Sequence, residues 1–482
     1  MTDDLTPYLE NARWFGGKGR PFTVAEPLHL GTLDGDAEPL VSVHLVPVHY
    51  DDDEGGVDYY QLPLALYRDP QPHLDHAFVG WWDRGDGEYV HAYDAVHDRA
   101  AMARYLHAFL AADPEADGGT APDSGLRFRR VPGHDLDAEA RSTLFSGEQS
   151  NSSVAFGDDS LLKLFRKVTP GENPDITLHE TLTRGGSEHI AALYGWVEAD
   201  GAGRAEAPDG MMHLAMLQQF LRTASDGWDL AQASVRNLYA EADLHADEVG
   251  GDFAGEAARL GEAVAEVHAT LLEQLGSEVR SADQLAQQMV ARLEAALPVV
   301  PELAAHEAML RDSYARFGAL GRLETQRIHG DLHLGQTLRT VRGWKLVDFE
   351  GEPAKPLAER SLPDSRWRDV AGMIRSFDYA ARVVERTTGG ENPASDDQLA
   401  FRAAEWADRN RDAFLTAYAG RELTDDEHVT LTAYVADKAV YEAVYEARNR
   451  PTWVSIPVDA LARWHQRRPS GSEEPPRRKR ES

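Results

Sequence analysis

The chain has 482 residues and no cysteine, so disulfides, thiolate metal sites and cysteine nucleophiles are excluded. Any metal must therefore be held by oxygen or imidazole ligands. No apolar run approaches the roughly 18 residues that a membrane-spanning helix needs, and the N-terminus lacks a basic segment followed by an apolar one. These absences predict a soluble, cytoplasmic protein with no membrane partner.

Positive charge is also scarce. The chain carries 49 basic and 81 acidic residues, for a formal net charge of −32, and only seven residues are lysine. This balance argues against nucleic acid or an anionic membrane as the main partner. A nucleotide would also be repelled by the overall charge, so a nucleotide site would need local cations and Mg²⁺.

The most informative segment is His329-Gly330-Asp331-Leu332-His333-Leu334-Gly335-Gln336, which is followed twelve residues later by Asp348-Phe349-Glu350. A loop carboxylate, an amide and a second carboxylate after a short apolar strand are typical of phosphoryl-transfer enzymes. Asp331 is predicted to be the catalytic base. Candidate Mg²⁺ ligands are the oxygens of Gln336, Asp348 and Glu350. The strand at 344–347 would let Asp331 and Asp348 face one cleft.

The motif departs from that of protein kinases, which have Asn where this chain has Gln336 and Asp-Phe-Gly where it has Glu350. A protein kinase is therefore not expected. Taken alone, His-Gly-Asp could be a turn with a self-satisfied aspartate. The presence of Asp348 at this spacing favours a role in phosphoryl transfer.

Lys163 lies in the apolar strand at 161–166, after a strand–turn–strand segment at 145–157. Backbone amides of that turn could cover phosphates, with Ser150 and Ser152 as candidate contacts. We predict that Lys163 binds nucleotide phosphate, with Glu180 of the following helix as its ion-pair partner. The alternative is an edge lysine that faces water.

Three folded regions are indicated. Residues 1–95 predict a small antiparallel sheet, 96–221 a nucleotide-binding lobe, and 222–468 a mainly helical lobe. An amphipathic helix is expected over 94–112, and a five-stranded antiparallel sheet with one helix over 126–220. The basic tail, 469–482, is predicted to be disordered. Gln218 and Phe220 lie where the second region leads into the third, so they could form a hinge that binds adenine. An ordinary strand-to-helix connection is the alternative.

Two polar helices predict an acceptor site. One begins near Arg368 and places Arg375 and Tyr379 four residues apart, on one face. The last long helix repeats polar and aromatic side chains at three- and four-residue spacings, a mixture that suits a carbohydrate; these are Lys438, Tyr441, Glu442, Tyr445, Glu446, Arg448 and Asn449. His333, two residues from Asp331, could also contact the acceptor. A solvated, ion-paired helix face is the competing interpretation.

Together these features resemble the actinobacterial maltokinases, within the aminoglycoside-phosphotransferase-like and protein-kinase-like group. The resemblance spans nearly the whole chain, and its most specific parts are Asp348-Phe349-Glu350-Gly351-Glu352-Pro353 and the C-terminal Tyr-Glu-Ala-Arg-Asn-Arg-Pro run that ends at Pro451. Further matching stretches are Ala12 to Arg20, His329 to Gln336 and Arg368 to Tyr379.

The resemblance implies a bilobal α+β kinase fold with an N-terminal cap subdomain over 1–95. It also implies ATP- and Mg²⁺-dependent phosphorylation of the anomeric hydroxyl of maltose, giving maltose 1-phosphate for α-glucan and glycogen synthesis from trehalose. Asp331 would be the base, Gln336 and Asp348 the Mg²⁺ ligands and Lys163 the phosphate lysine. A trehalose-isomerising enzyme is a possible partner.

Two alternatives stay open. A kinase of the same fold could act on another sugar such as glucosamine, or on an aminoglycoside, because several carboxylates are available for an amino group. The chain could also be a pseudokinase or a non-catalytic sugar-binding scaffold. The joint presence of Lys163, Asp331, Gln336 and Asp348 argues against this second alternative.

Overall fold

A computed structural model shows two compact units, one formed by Met1–Ala224 with Thr340–Leu362 and the other by Ser225–Arg339 with Pro363–Ser482. The residues described are 5–33, 38–52, 55–83, 88–115, 119–120, 125–145, 150–201, 208, 210–241, 245–352, 355–388 and 393–466. The tail at 469–482 lies outside them. In the part of the chain described, no helix is long and apolar enough to cross a membrane.

The first unit begins with helix α1 (Leu5–Asn11) and an antiparallel sheet. The strands are β1 (Phe22–Val24), β2 (Leu28–Leu33), β3 (Leu40–Tyr50), β4 (Val57–Tyr67), β5 (Phe78–Asp83) and β6 (Tyr89–Asp94). They are ordered β1-β3-β4-β6-β5, with β2 also paired to β3. Alternate residues of β3 enter two different cores, represented by Val43 and Val48. Burial on both faces explains why this strand is an almost unbroken apolar run.

Helix α2 (Arg99–Ala111) follows, and its first turn is capped by Asp98, whose side chain accepts a hydrogen bond from Ala100 N at 2.9 Å. A second antiparallel sheet comes next, in the order β7-β8-β13-β14-β11-β10-β9. Its strands are β7 (Gly119–Thr120), β8 (Leu126–Arg130), β9 (Ser142–Leu144), β10 (Asn151–Phe156), β11 (Ser160–Phe165), β13 (Leu193–Asp200) and β14 (Met211–Gln219). In the described part of 126–220, six strands belong to this sheet, one more than the five expected.

The two sheets of this unit are tied together between β11 and β13. Strand β12 (Lys167–Val168) leaves the second sheet and pairs with β4 of the first. Helix α3 (Pro174–Arg184) then begins at the N-cap Asn173, whose side chain accepts from Asp175 N. Later in the chain, β19 (Gly343–Leu346) and α8 (Leu357–Arg360) return to this unit.

The second unit is mainly helical. Its helices are α4 (Gly227–Ala240), α5 (Ala254–Leu275), α6 (Ala282–Ala296), α7 (Glu307–Gly318), α9 (Trp367–Thr388), α10 (Pro393–Ala419), α11 (Asp425–Asn449) and α12 (Ser455–Gln466). Short strands β15 (Ser225–Asp226), β16 (Ser277–Ser281), β17 (Arg322–Gln326) and β18 (Thr337–Thr340) connect them. The apolar stripe of α5, which includes Leu260 and Leu271, is fully buried, as its spacing predicts.

Candidate active site

Lys163 of β11 lies at the centre of an acidic cluster in the first unit. Its Nζ is 2.8 Å from Asp175 Oδ2, 2.8 Å from Asp348 Oδ1 and 2.9 Å from Glu350 Oε1. The lysine is 8% exposed. It is therefore not an edge residue that faces water, and the structure brings it together with both carboxylates of the Asp348-Phe349-Glu350 motif.

Asp175 holds this motif in place from the first turn of α3. Its Oδ2 accepts from Lys163 while its Oδ1 accepts from the backbone N–H of Phe349 at 2.9 Å. Strand β19 fixes the other side, because Leu346 N donates to His189 O at 2.8 Å. Asp348 has φ of 66°, the only positive φ of a non-glycine residue in the part of the chain described. Aspartate tolerates this left-handed conformation better than most residues.

The cluster has more negative than positive charge. Burial raises the pKa of Glu350, and Asp348 and Asp175 raise it further against the opposing effect of Lys163. Burial also acts to raise the pKa of Asp175, but Lys163 and His179 hold it well below its usual range. Three carboxylates against one ammonium leave a formal charge of −2 when all are ionised. The oxygens of Asp175, Asp348 and Glu350 lie within 4.8 Å of one another, and such a set suits one divalent hard cation.

The predicted partner of Lys163 was wrong. Glu180 lies one and a half turns further along α3 and forms an ion pair with Arg184 at 2.9 Å, whereas Asp175 contacts the lysine. The sequence did contain a signal for Asp175, since Asn173-Pro174-Asp175 is a helix-start pattern with an acidic residue in the first turn. Helix direction decided the choice, because only the first turn of α3 reaches the lysine.

Ser152 has a structural role that the sequence did not show. It is buried on β10, and its hydroxyl accepts a hydrogen bond from Arg166 Nε at 2.8 Å. Arg166 in turn pairs with Asp94 at 2.7 Å. Phosphate contact at Ser152 stays a prediction, because this hydrogen bond uses the hydroxyl only as an acceptor. Ser150, by contrast, is exposed at the start of this strand, and the turn residues 146–149 lie outside the described part of the chain.

The predicted hinge lies at the end of β14. Gln218 is still in the strand, paired in register with Leu161 of β11. Phe220 is just beyond it, and its backbone N–H donates to Asp159 O at 2.7 Å. That N–H is therefore already engaged within the unit, and adenine recognition at Gln218 and Phe220 stays a prediction.

In the second unit the loop that carries Asp331 is held by α9. Asp369 accepts from the backbone N–H groups of His329 and Gly330, both at 2.8 Å. It also lies 3.0 Å from His268 Nε2, and the other ring nitrogen of His268 lies 2.9 Å from Tyr418 Oη. Burial acts to raise the pKa of Asp369, but His268 lowers it below its usual range. The side chain of Asp369 therefore anchors the loop, which is a structural role and not a ligand-binding one.

A second feature of α9 fixes the same loop at close range. A Cβ added to Gly372 would lie 2.4 Å from the carbonyl oxygen of Leu332, so only glycine allows the helix and the loop to approach this closely. Leu334 N also donates to Ser376 Oγ at 3.0 Å. The backbone on both sides of Asp331 is therefore rigidly held.

The Asp331 side chain faces α11. Its Oδ1 accepts a hydrogen bond from Lys438 Nζ at 2.8 Å, and both side chains are 18% exposed. Lys438 also lies over the ring of Tyr441, 4.7 Å from its centroid.

His333 uses Nδ1 to accept a hydrogen bond from Gly335 N at 3.1 Å, which caps the short helix that ends at Gln336. Gln336 and Asp348 belong to different units, and their joint metal binding stays a prediction.

The predicted acceptor residues of α9 and α11 pair with each other. Arg375 donates to Glu442 Oε2 through Nε at 3.0 Å and Nη2 at 2.6 Å. Tyr379 Oη donates to Glu446, which also binds Arg450 at 2.6 Å. Tyr379 further lies near two tryptophan rings, those of Trp228 and Trp453. We call the polar surface of Lys438, Tyr441, Glu442, Tyr445 and Glu446 the acceptor wall.

Not every predicted acceptor residue shares this environment. Asn449 is exposed and donates through Nδ2 to the backbone oxygen of Tyr445 at 2.8 Å, so it contributes to the end of α11. Arg448 is also exposed. Glu446 lies four residues after Glu442, on the same helical face, and the sequence had also indicated it as part of this polar pattern.

Comparison with known proteins agrees with this chemistry. Residues 8–98 match the family described as Maltokinase N-terminal cap domain, and residues 236–422 match the Phosphotransferase enzyme family. A glucosamine kinase from Streptacidiphilus jiangxiensis is 31% identical over 393 residues, which are 77% of this chain and 80% of that protein. One from Mycolicibacterium smegmatis is 28% identical over 329 residues, 65% of this chain and 77% of the relative.

A solved structure shares the fold. It is described as a glucosamine kinase in complex with glucosamine, ADP and inorganic phosphate, and it aligns with a TM-score of 0.65 and 24% identity over 96% of this chain and 99% of that one. The predicted family and the α+β kinase-like fold class with an N-terminal cap are thus confirmed. The chain belongs to the phosphotransferase enzyme family, as a sugar kinase that carries a maltokinase-type N-terminal cap domain.

Proposed function

We propose that the protein transfers the γ-phosphoryl group of ATP to the anomeric hydroxyl of maltose, giving maltose 1-phosphate and ADP. The match of residues 8–98 to the maltokinase cap supports this acceptor. The product would serve α-glucan synthesis that starts from trehalose, with a trehalose-isomerising enzyme as a possible partner.

The first unit supplies the phosphate chemistry. Lys163 is fixed by three carboxylates and would bind a phosphate oxygen. Mg²⁺ fits the cluster because its donors are all carboxylate oxygens and their charge exceeds that of the lysine by two. Asp348 and Glu350 would hold the metal, with Gln336 as a further ligand. When bound, the metal would neutralise charge on the transferred phosphoryl group.

The second unit supplies the base and the acceptor. Asp331 would accept the proton of the attacking hydroxyl, and its loop is held by Asp369 and by the close approach of Gly372. Lys438 donates a hydrogen bond to Oδ1 of this carboxylate and would orient it.

Charge pairing at the acceptor wall is the observation that favours a neutral sugar. Glu442 is bound by Arg375, Glu446 by Arg450, and Asp331 by Lys438. Carboxylates that are already paired with cations attract an ammonium group only weakly. They can still accept hydrogen bonds from sugar hydroxyls, and Tyr441 and Tyr445 offer aromatic faces for the C–H surface of the ring.

Glucosamine is the second candidate, because both relatives named above are glucosamine kinases. An amino sugar would need a carboxylate released from its arginine, and Glu442 is a candidate because Arg375 now holds it. An aminoglycoside would need several such carboxylates.

ADP release measured with maltose, glucose, glucosamine and an aminoglycoside tests the assignment. We expect the highest kcat/KM with maltose. Turnover with glucosamine and none with maltose would show that glucosamine, the second candidate, is the acceptor.

A separate variant tests whether the protein is a non-catalytic sugar-binding scaffold. Asp331→Asn should lower kcat by roughly 10²–10⁴, the usual loss for a general base, while maltose binding measured by calorimetry stays near that of the wild type. Unchanged turnover in this variant would remove Asp331 from its proposed role.

A further inference from the structure

The helical unit contains a cavity on the side of α11 opposite Lys438 and Tyr441. It has a volume of about 40 Å³ and lies among α9, α10, α11 and α12. Since one water needs roughly 10–15 Å³ on the same measure, there is room for one small tetrahedral ion and none for a nucleotide. Its apolar lining is built largely of small side chains such as Ala404, Ala439 and Ala460.

The charged lining of this cavity is mainly guanidinium. Four arginines and two aspartates face it: Arg375, Arg382, Arg411, Arg463, Asp378 and Asp408. These arginines are also paired with carboxylates, so the positions of their N–H donors characterise the cavity and not an excess of positive charge. Arginine presents several N–H donors in a rigid plane, which suits the oxygens of a phosphate.

One carboxylate is shared among three of these guanidiniums. Asp378 Oδ2 binds Arg375 Nη1 at 3.0 Å and lies 3.2 Å from Arg463 Nη2, while Asp378 Oδ1 is 3.8 Å from Arg382 Nε. Arg375 and Arg382 have second partners in Glu442 and Glu385. Arg463 is therefore less well compensated than its neighbours in the described part of the chain.

Two further observations indicate a missing acceptor. Arg382 is 9% exposed, and its buried Nε has no hydrogen-bond partner among the described residues. Burial lowers the pKa of Arg463, and the charges of Arg382 and Arg375 lower it further, against the opposing effect of Asp378. An anion placed between these groups would accept a hydrogen bond from the Arg382 Nε–H.

We propose that this cavity binds a small tetrahedral oxyanion, with inorganic phosphate as the ligand. The Arg382 Nε–H and the Arg463 guanidinium donate to its oxygens. Arg375 connects the site to the acceptor wall, because the same guanidinium that lines the cavity binds Glu442. The site is separate from Asp331 and takes no part in the transfer itself.

Calorimetric titration of inorganic phosphate into the full chain, with and without saturating Mg·ADP, tests the proposal. We expect one saturable site that Mg·ADP does not displace. Arg463→Gln should weaken binding roughly 10- to 100-fold, as expected for the loss of a charge-assisted hydrogen bond. Ala460→Leu should abolish binding because it fills the cavity without changing any charge.

Arg311→Gln is the matched control, since Arg311 is a surface arginine paired with Glu294 and Glu307, and its phosphate affinity should equal that of the wild type. Thermal unfolding of each variant shows whether it is folded. If Ala460→Leu does not fold, the phosphate affinity of Arg463→Gln tests the proposal. Absence of saturable binding, displacement by Mg·ADP, or equal affinity in Arg463→Gln and the wild type would each overturn the proposal.

Discussion

Lys438 Nζ donates a 2.8 Å hydrogen bond to Oδ1 of Asp331, and this pair joins the loop that carries Asp331 to helix α11. The contact links residues 107 positions apart in the chain. It helps to fix the orientation of the carboxylate that we propose as the base.

Replacing Lys438 should therefore impair turnover more than folding. Lys438→Met is expected to lower kcat/KM roughly 10- to 100-fold, because a charge-assisted hydrogen bond of about 1.5–3 kcal/mol is lost, and Lys438→Arg should recover part of it. Steady-state kinetics measure the change. Arg292→Gln is the control, since it breaks the neighbouring surface pair with Asp437. Equal kinetics for Lys438→Met and the control would contradict the role.

Asp175 and Glu180 lie on the same helix, but we expect their substitutions to have different effects on stability and on the KM for ATP. Asp175→Asn should raise the KM for ATP and lower the free energy of unfolding by up to about 3–5 kcal/mol, the range for breaking a buried ion pair. Since Asp348 and Glu350 still neutralise Lys163, the lower end is expected. Glu180→Gln removes only the partly exposed pair with Arg184 and should stay within about 0.5 kcal/mol. Urea unfolding and ATP kinetics separate the two, and similar effects would contradict the pairing seen here.

The acidic cluster predicts stabilisation by Mg²⁺ in the absence of substrate. Added Mg²⁺ should raise the Tm of the wild type, because a ligand that binds only the folded state stabilises it. Asp348→Asn should show a much smaller rise, and asparagine is chosen because it tolerates the φ of 66° at this position. Asp158→Asn changes a carboxylate of the same unit that pairs with Arg222 outside the cluster and should respond like the wild type. An undiminished rise in Asp348→Asn would show that the metal binds elsewhere.

The buried side chain of His44, on β3 of the first sheet, leads us to expect that the protein loses stability in mild acid. Burial, together with the nearby His29, lowers the pKa of His44 to about 3, from an ordinary value of 6.5. The unfolded chain therefore takes up a proton near pH 6.5 while the folded protein does not. Stability is fully present above pH 6.5 and falls as the pH decreases towards 3, at about 1.4 kcal/mol per pH unit.

Urea unfolding between pH 7.5 and 5 measures this effect. His44→Gln should be less stable at pH 7.5, because the contact of His44 with Ser42 at 2.8 Å is disturbed, but should lose less stability on acidification. Parallel pH profiles for the variant and the wild type would show that other groups control the acid response.

Local patterns determined a large part of this protein. The apolar stripe of α5 and the polar spacing of α11 follow from periodicities that any helix must obey. Strand β11 likewise carries Lys163 where the apolar run indicates. The order His-Gly-Asp, strand, Asp-Phe-Glu also identified the phosphoryl-transfer chemistry, because that chemistry restricts residue types at short spacings.

Long-range partners were a different matter. The choice of Asp175 over Glu180, the use of the Ser152 hydroxyl by Arg166, and the pairing of Arg375 with Glu442 depend on which side chains meet across elements far apart in the chain. The sequence thus determined the family, the elements and the catalytic residue types. Only the tertiary structure decided which charges neutralise one another, because side-chain pairing depends on distances in space and not on position along the chain.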